Sequence, residues 1–407
     1  MPGRFKRIWV EEEAHGIPFI TGTEMLFAML PRDKFISKKL TKNLDTYFVQ
    51  EGWTLVSRSE TVGNTIIVTS DLTDYAVTED AIRVVPTEGM PTGYLYAYLS
   101  GPDFRALVTE KIYGSVIDHI EPYQVAGLPI PLLPVVIQKR IHQLVMTACD
   151  LRVQANTSLR LANECFHQAN NLPRLPRPTG ERQVLAISSA SFDDRLDGSY
   201  HNPQAQLAVT NIRLNAKDYK PLCRLATTYL PTRFARVYVD GSHYGVPFLS
   251  SKQILQAEPT GAPYISRRLT RNLANYLSQD MAGSAISEHV IRIIPGEDIS
   301  PGYLYAAVAS EYGYYQATRH IHGSVVDELT TDQTDTILIP LPDSADEAEI
   351  GELVLDAVKK RVQANALLCR ARVLFDTALT AGQSTFTKTD PADWLASWEK
   401  DAERAQE

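Results

Sequence analysis

The chain has 407 residues, 44% of them hydrophobic and 22% charged, with a formal net charge of −8; that is too long for one ordinary core and long enough for two or three. No run approaches the roughly eighteen consecutive apolar residues of a membrane span, and the N-terminal segment turns acidic without the apolar centre of a secretory signal. Cys149, Cys165, Cys223 and Cys369 are scattered without a CxxC pair or a histidine at ligand spacing, so a zinc site or disulfide framework is not expected and a cytoplasmic setting fits.

Taken in order, residues 5–133 alternate short β-branched or aromatic runs (7–10, 65–68 and 81–85) with Gly and Pro turn signals. Residues 53–68 have the pattern of a hairpin turning near Gly63-Asn64. Residues 93–108, with Leu95, Tyr98 or Leu99, Phe104 and Leu107 at helical spacing, predict one helix packed on the sheet. The run Leu128-Pro-Ile-Pro-Leu-Leu-Pro134 suits an edge segment leading into a helix, not a central strand.

From residue 134 the pattern changes. Ile137, Ile141, Leu144, Ala148, Leu151, Ala155, Leu159, Ala162, Phe166 and Ala169 form one stripe in steps of three and four, which predicts a spacer helix over 134–172, roughly 50 Å long. A proline-rich linker (173–190) leads to a second globular unit (191–342). A second helix (343–382) carries Ile350, Leu353, Ala357, Ala364, Leu368, Ala371, Phe375 and Ala378, interrupted by Lys360. Apolar stripes of this length need cover, so the two helices are expected to pair as an antiparallel coiled coil. In the tail (383–407) Trp394 and Trp398 stand one turn apart, as in a short docking helix, although a frayed terminus reads the same way.

Self-comparison gives the strongest signal. Gly16-Ile-Pro-Phe-Ile20 recurs as Gly245-Val-Pro-Phe-Leu249, and Ile36-Ser-Lys-Lys-Leu-Thr-Lys-Asn-Leu44 as Ile265-Ser-Arg-Arg-Leu-Thr-Arg-Asn-Leu273, both at an offset of 229. Beyond these the offset is 209: Arg83-Val-Val-Pro86 with Arg292-Ile-Ile-Pro295, Gly93-Tyr-Leu-Tyr-Ala97 with Gly302-Tyr-Leu-Tyr-Ala306, Gly114-Ser-Val-Ile-Asp118 with Gly323-Ser-Val-Val-Asp327, Ile130-Pro-Leu132 with Ile339-Pro-Leu341, and Arg152-Val-Gln-Ala-Asn156 with Arg361-Val-Gln-Ala-Asn365. The chain is a duplication. Copy two lacks twenty residues that copy one carries within 47–70, around the hairpin; the leader that opens copy two, about 191–232, has no counterpart ahead of Arg4, so either the chain is truncated there or copy one does without it.

A globular unit, an Ile-Pro-Leu-Pro segment and a long helix, all repeated, resemble the specificity subunit of type I restriction–modification enzymes. Trp53-Thr-Leu-Val-Ser-Arg-Ser-Glu-Thr-Val-Gly63 is similar to that family's paired-strand motif, with Glu60 where glycine is usual, and Asp194-Arg-Leu-Asp-Gly-Ser-Tyr200 is similar to the opening of its recognition domains. The resemblance implies an α+β fold of two tandem target-recognition domains, each followed by a long helix. It further implies a non-catalytic subunit that reads a bipartite double-stranded DNA target and docks DNA adenine methyltransferase subunits, with a restriction or translocase subunit as a further partner. No cofactor, metal or membrane is implied.

Lys38, Lys39, Lys42 and Asn43, repeated as Arg267, Arg268, Arg271 and Asn272, form the leading candidate patch: cations to anchor phosphates beside an amide able to pair with adenine. Their bland alternative is a solvated basic loop. Ser57, Arg58 and Ser59 in the hairpin, and Arg319 with His320 in copy two, are the other candidates. Nucleotide-binding, protease, hydrolase and methyltransferase signatures are absent, and Asp118-His119 is answered by Asp327-Glu328, so the repeat does not keep an acid–base pair. The rival reading is a protein-interaction scaffold of paired heads on a coiled-coil rod that does not bind DNA.

Overall fold

The two apolar stripes become the helices Val135–Ala169 and Ser344–Lys388, the latter interrupted at Gly382, whose φ is 71°. The computed structural model describes residues 3, 5–59, 62–111, 119–176, 198, 200–233, 235–259, 262–266, 284–321 and 328–404. They fall into two units. Unit 1 comprises Met1–Val153, Leu255–Thr260 and Arg361–Glu407, and unit 2 comprises Gln154–Ile254 and Gly261–Lys360. The mixed α+β class holds, and each unit contains part of both long helices.

Inside each unit the helix segments run antiparallel. In unit 1, Arg152 donates to Asn365 Oδ1 at 2.9 Å, while Phe375 lies 5.4 Å from the Tyr94 ring and the neighbouring Gly93 N–H reaches His142 Nδ1 at 3.0 Å. In unit 2, Ser158 donates to Asp356 at 3.1 Å, and Phe166 meets Tyr303 at 6.0 Å. The stripe residues Ile137, Ile141 and Ala148 in unit 1 and Ala155, Ala162 and Phe166 in unit 2 are all at most 1% exposed. Their burial is what holds the helices in register.

The duplication is visible in the sheets. In unit 1, Gly16–Ile20 pairs antiparallel with Phe35–Ser37 and parallel with Ala76–Val77, and Trp9–Val10 adds to the far side of Phe35–Ser37. In unit 2, Gly245–Leu249, Tyr264–Ser266, Ala285–Ile286 and Tyr238–Val239 repeat that order and register, with Gly245 opposite Ser266 where Gly16 stands opposite Ser37.

The unequal parts also find places. In unit 1 the hairpin strands Thr54–Ser57 and Thr65–Ile67 pair with each other, and Thr54–Ser57 pairs with Ala81–Val84. In unit 2 the strand equivalent to the last, Arg292–Pro295, pairs with Ala226–Tyr229 of the leader, and Leu338–Leu341 pairs with Asp218–Pro221 just upstream. The leader does not simply replace the hairpin. Arg58 N–H donates to Asp80 O in unit 1, whereas Gly296 N–H donates to Leu225 O in unit 2. Gly296 is equivalent to residue 87, an odd number of positions from Asp80, so the two partners bind opposite edges of the shared strand.

The region read as one helix over 93–108 is two, Thr92–Leu99 and Pro102–Thr109. Gly101 takes an extended N-cap conformation and Pro102 opens the second helix, because proline cannot donate within a helix but suits its first turn. The repeated Gly-Tyr-Leu-Tyr block now has a reason. A Cβ at Gly93 would stand 2.8 Å from the His142 carbonyl oxygen, and one at Gly302 would stand closer still to that of Gly351. Each glycine lets a short helix lie directly on a long one. Each following tyrosine, Tyr94 or Tyr303, donates to a carbonyl of the proline run, Pro131 at 2.6 Å and Pro340 at 2.7 Å.

Arginines bonded to backbone carbonyls and to carboxylates complete both units. Arg83 donates to the carbonyls of Val77, Thr78 and Ala81, and Arg292 to those of Ile286, Ser287 and Val290. Burial pulls the Arg83 guanidinium down to about 10, leaving it charged at neutral pH. Arg7 pairs with Glu79 at 3.1 Å and Arg236 with Glu288 at 2.5 Å, each arginine lying 5.1 Å over a phenylalanine ring, Phe19 or Phe248. In unit 1, residues 255–257 pair with 26–28 through Ala28 N–H to Leu255 O and Ala257 N–H to Leu26 O. This brings Glu258 between Arg152, at 3.0 Å, and Arg372, with the Tyr96 hydroxyl donating to it at 2.9 Å. Burial alone would raise the Glu258 carboxyl, but the two guanidinium groups outweigh it and hold it down to about 2.

The tail forms the helix Pro391–Arg404, which lays Trp394, Leu395 and Trp398 on the core of unit 1 and pairs Glu399 with Arg140 at 2.5 Å. At the start of the linker, Leu172 and Leu175 are buried in unit 2, and Leu175 N–H donates to Glu311 at 2.9 Å.

Candidate nucleic-acid interface

Lys38, Lys39, Lys42 and Asn43 lie on the turn that follows Phe35–Ser37 in unit 1, and all four are exposed. The turn is built from short polar bonds. Leu40 N–H donates to Ser37 Oγ at 3.1 Å, Thr41 N–H to Ser37 O at 3.2 Å, and the buried Ser37 and Thr41 point inward between the lysines. Asn43 adopts the left-handed conformation, φ 52° and ψ 39°, and leads into the single turn Leu44–Tyr47. Asparagine tolerates that region better than most residues. Thr46 then bonds back to the Asn43 carbonyl through both its N–H and its hydroxyl.

Charge neutralisation separates these lysines from the nearby Arg32 and Lys34. Arg32 pairs with Glu13 at 2.8 Å and Lys34 with Glu24 at 2.7 Å. Glu24 is held below the usual carboxylate range although burial opposes this, because bonds from Lys34 and Thr21 outweigh it. Lys38 donates to the Ala14 carbonyl at 3.1 Å. Among the described residues none of Lys38, Lys39 and Lys42 meets a carboxylate at ion-pair distance. A rigid turn offering three uncompensated ammonium groups and one amide side chain suits an anionic, hydrogen-bonding surface.

The other candidates are placed differently. Ser57 is 1% exposed on its strand, and its hydroxyl donates to the Ser59 carbonyl at 3.2 Å. Arg58 donates to Ile120 O at 3.1 Å and pairs with Glu121 at 2.5 Å and Asp80 at 3.7 Å, its side chain 18% exposed. Ser59 Oγ lies 2.9 Å from His119 Nδ1. In unit 2 the Arg319 guanidinium stacks 4.1 Å from the centre of the Tyr200 ring, His320 meets the same ring edge-on at 5.6 Å, and His320 Nε2 lies 3.3 Å from the Thr336 hydroxyl. Arg267, Arg268, Arg271 and Asn272, and the repeated Gly-Ser blocks at 114–118 and 323–327, lie outside the described residues.

Sequence reasoning did not single out Tyr200 beneath Arg319, nor the Arg7–Glu79 and Arg236–Glu288 pairs. For the pairs a signal was present, since Arg7 and Arg236 stand at the offset of 229 and Glu79 and Glu288 at 209. Among the described residues no group of three or more His, Cys, Asp or Glu side chains could hold a metal ion, and no helix is long and apolar enough to cross a membrane.

No known family profile and no curated protein matches the chain. It is similar to two crystal structures over nearly its whole length. One is the type I restriction–modification system S subunit from M. genitalium, at 13% identity over 92% of this chain and 91% of that one, with a TM-score of 0.33. The other is the HsdS subunit from Thermoanaerobacter tengcongensis, at 10% identity over 92% and 93%, with a TM-score of 0.29.

Proposed function

We propose that the chain is a non-catalytic DNA-recognition subunit that reads a bipartite duplex target and docks an adenine methyltransferase, with a restriction or translocase subunit as an additional partner. The exposed turn of unit 1 carries the reading: Lys38, Lys39 and Lys42 surround a fixed Asn43, no carboxylate among the described residues compensates them, and the positive charges recur as Arg267, Arg268 and Arg271 in copy two. On this reading the cations hold phosphates, and Asn43 and Asn272 face base edges. Arg319 and His320, packed on Tyr200, are secondary contacts. Ser57 and Arg58 act within the hairpin.

The test is duplex binding by the full chain over a series of salt concentrations, alone and with its methyltransferase. Changing Lys38, Lys39 and Lys42 together to Ala should weaken binding to every sequence and flatten the salt slope by about 3, roughly one for each phosphate the turn no longer holds. Unchanged affinity removes the turn from the interface. Indifference to DNA with and without the partner supports the scaffold reading instead.

A further inference from the structure

One position of the duplicated sheet carries an exposed aromatic ring in both units. Among the described strand residues of the two four-stranded sheets, Trp9 and Tyr238 alone are exposed, at 50% and 54%. They correspond at the offset of 229, and each lies on an edge strand in the same register, Trp9 opposite Ile36 and Tyr238 opposite Ile265. The pairing runs on by one bond in each unit, Ser37 N–H to Ile8 O at 2.8 Å and Ser266 N–H to Val237 O at 2.9 Å. The next residue along the chain is the first cation of the repeated block, Lys38 in one copy and Arg267 in the other. In unit 1 the ring therefore stands at the root of the basic turn.

Folding uses the inner part of this position and leaves the outer part free. Ile36 and Ile265, opposite the rings, are buried, as are Phe19 and Phe248 on the neighbouring strands. The Trp9 ring meets Phe19 edge-on, with centres 5.6 Å apart and planes at 79°. That contact sets the angle of the indole while half of its surface stays in solvent. Tyr238 is as exposed as Trp9 although the leader residues 200–233 of unit 2 are in place. The exchange of tryptophan for tyrosine keeps a flat aromatic face and changes the polar handle, which stacking tolerates. Charge selects what covers such a ring. Beside Trp9 stand Lys38, Lys39 and Lys42, which meet no carboxylate among the described residues. Negative charge and flat apolar faces occur side by side in nucleic acid, where phosphates flank the base steps.

We propose that Trp9 in unit 1 and Tyr238 in unit 2 each insert at a base step of bound duplex DNA and stack on the base exposed there, next to phosphates held by the Lys/Arg block. The inference rests on the DNA-binding reading above and adds to it an apolar contact that the cations do not supply. A ring already fixed by the sheet loses little freedom on stacking, and the partial unstacking of one step is offset by the contacts it opens.

The test uses the full chain and short duplexes recovered by binding-site selection from a random pool. Trp9→Leu refills the contact with Phe19 without an aromatic face. It should weaken binding about tenfold while leaving the salt slope unchanged, because stacking is lost and no phosphate contact is. Trp9→Phe should restore most of that loss. Tyr238→Leu and Tyr238→Phe should behave in the same way. A second readout needs no loss of affinity: tryptophan emission of the parent should fall on saturation with duplex, and Trp9→Phe should remove most of that fall. Binding by both leucine variants within about twofold of the parent, or an emission change that survives Trp9→Phe, overturns the inference and leaves the DNA-binding reading standing. Weaker binding with a flattened salt slope also overturns it, since phosphate contacts would then be what was lost. A parent chain that retains no duplex, alone or with its methyltransferase, overturns both.

Discussion

Replacing Glu258 by Gln should cost unit 1 about 3 kcal/mol at neutral pH. The carboxylate lies between Arg152 and Arg372 with the Tyr96 hydroxyl on it, its side chain 15% exposed. Its folded value of about 2 against an ordinary 4.5 corresponds, at roughly 1.4 kcal/mol per pH unit, to about 3 kcal/mol of differential stabilisation of the charged form. The independent expectation for removing one partner of a buried charge pair is of the same size, about 3–5 kcal/mol. Because the folded value is depressed, this stability is present above about pH 4.5 and is lost as pH falls towards 2. At pH 3 only about 1 kcal/mol remains, because the pH is then about one unit above the folded value. Urea unfolding of the parent chain and of E258Q from pH 7 to pH 3 reads this directly. The difference in unfolding free energy should be flat above pH 5 and shrink by about 2 kcal/mol by pH 3. A difference that does not change over that range, or is below about 1 kcal/mol at pH 7, refutes the assignment of a charged, doubly paired Glu258.

Three further outcomes follow from the geometry. Arg83→Met removes a donor from three carbonyls in unit 1 and Arg292→Met from three in unit 2, of which Thr78 O and Ser287 O keep a backbone N–H; each should destabilise its own unit by about 3 kcal/mol in denaturant unfolding. Gly302→Ala drives a methyl into the Gly351 carbonyl oxygen and should cost about 2 kcal/mol or more, with wild-type stability showing that the helices do not touch there. Asn43→Gly relieves a left-handed residue and should leave stability within about 0.5 kcal/mol of the parent, while Asn43→Ala loses about 1 kcal/mol. If Asn43 reads a base, both variants lose the same sequence preference in a binding-site selection, which separates recognition from folding.

The apolar stripes were legible because steps of three and four residues admit one explanation on a chain this long, and the stripe positions are buried as the spacing requires except Leu151, Ala169 and Leu353, which are partly buried. The break at Ser100-Gly101-Pro102 was also written in the sequence, as a Gly-Pro pair inside the apolar pattern. The spacing of Leu95, Leu99, Phe104 and Leu107 runs across it and masks it. The Glu258 cluster was not legible, since Arg152 and Arg372 are brought to it only by the antiparallel helices, and a lone glutamate in a loop carries no pattern. Exposure of the lysines was half legible. Sequence gives their charge, but which cations meet an acid depends on folding: Lys34 finds Glu24, and Arg58 finds Glu121 and Asp80.

Repetition within a chain is ambiguous evidence, because a duplicated fold must keep its internal bonds whatever its function. Most repeated blocks are accounted for in this way. Gly93 and Gly302 admit a long helix, Tyr94 and Tyr303 bond the proline runs, Arg83 and Arg292 gather three carbonyls each, and Arg152 is tied to Glu258. The block from Ile36 to Leu44 differs. Ser37 and Thr41 turn inward and shape the turn, but Lys38, Lys39 and Lys42 stand in solvent in unit 1 and meet no carboxylate among the described residues. Apart from the bond of Lys38 to the Ala14 carbonyl, no hydrogen bond or ion pair among the described residues uses their charge. Lys-to-Arg exchange preserves the positive charge and hydrogen-bond donation while changing shape, which is what a phosphate contact tolerates and a packed interior does not.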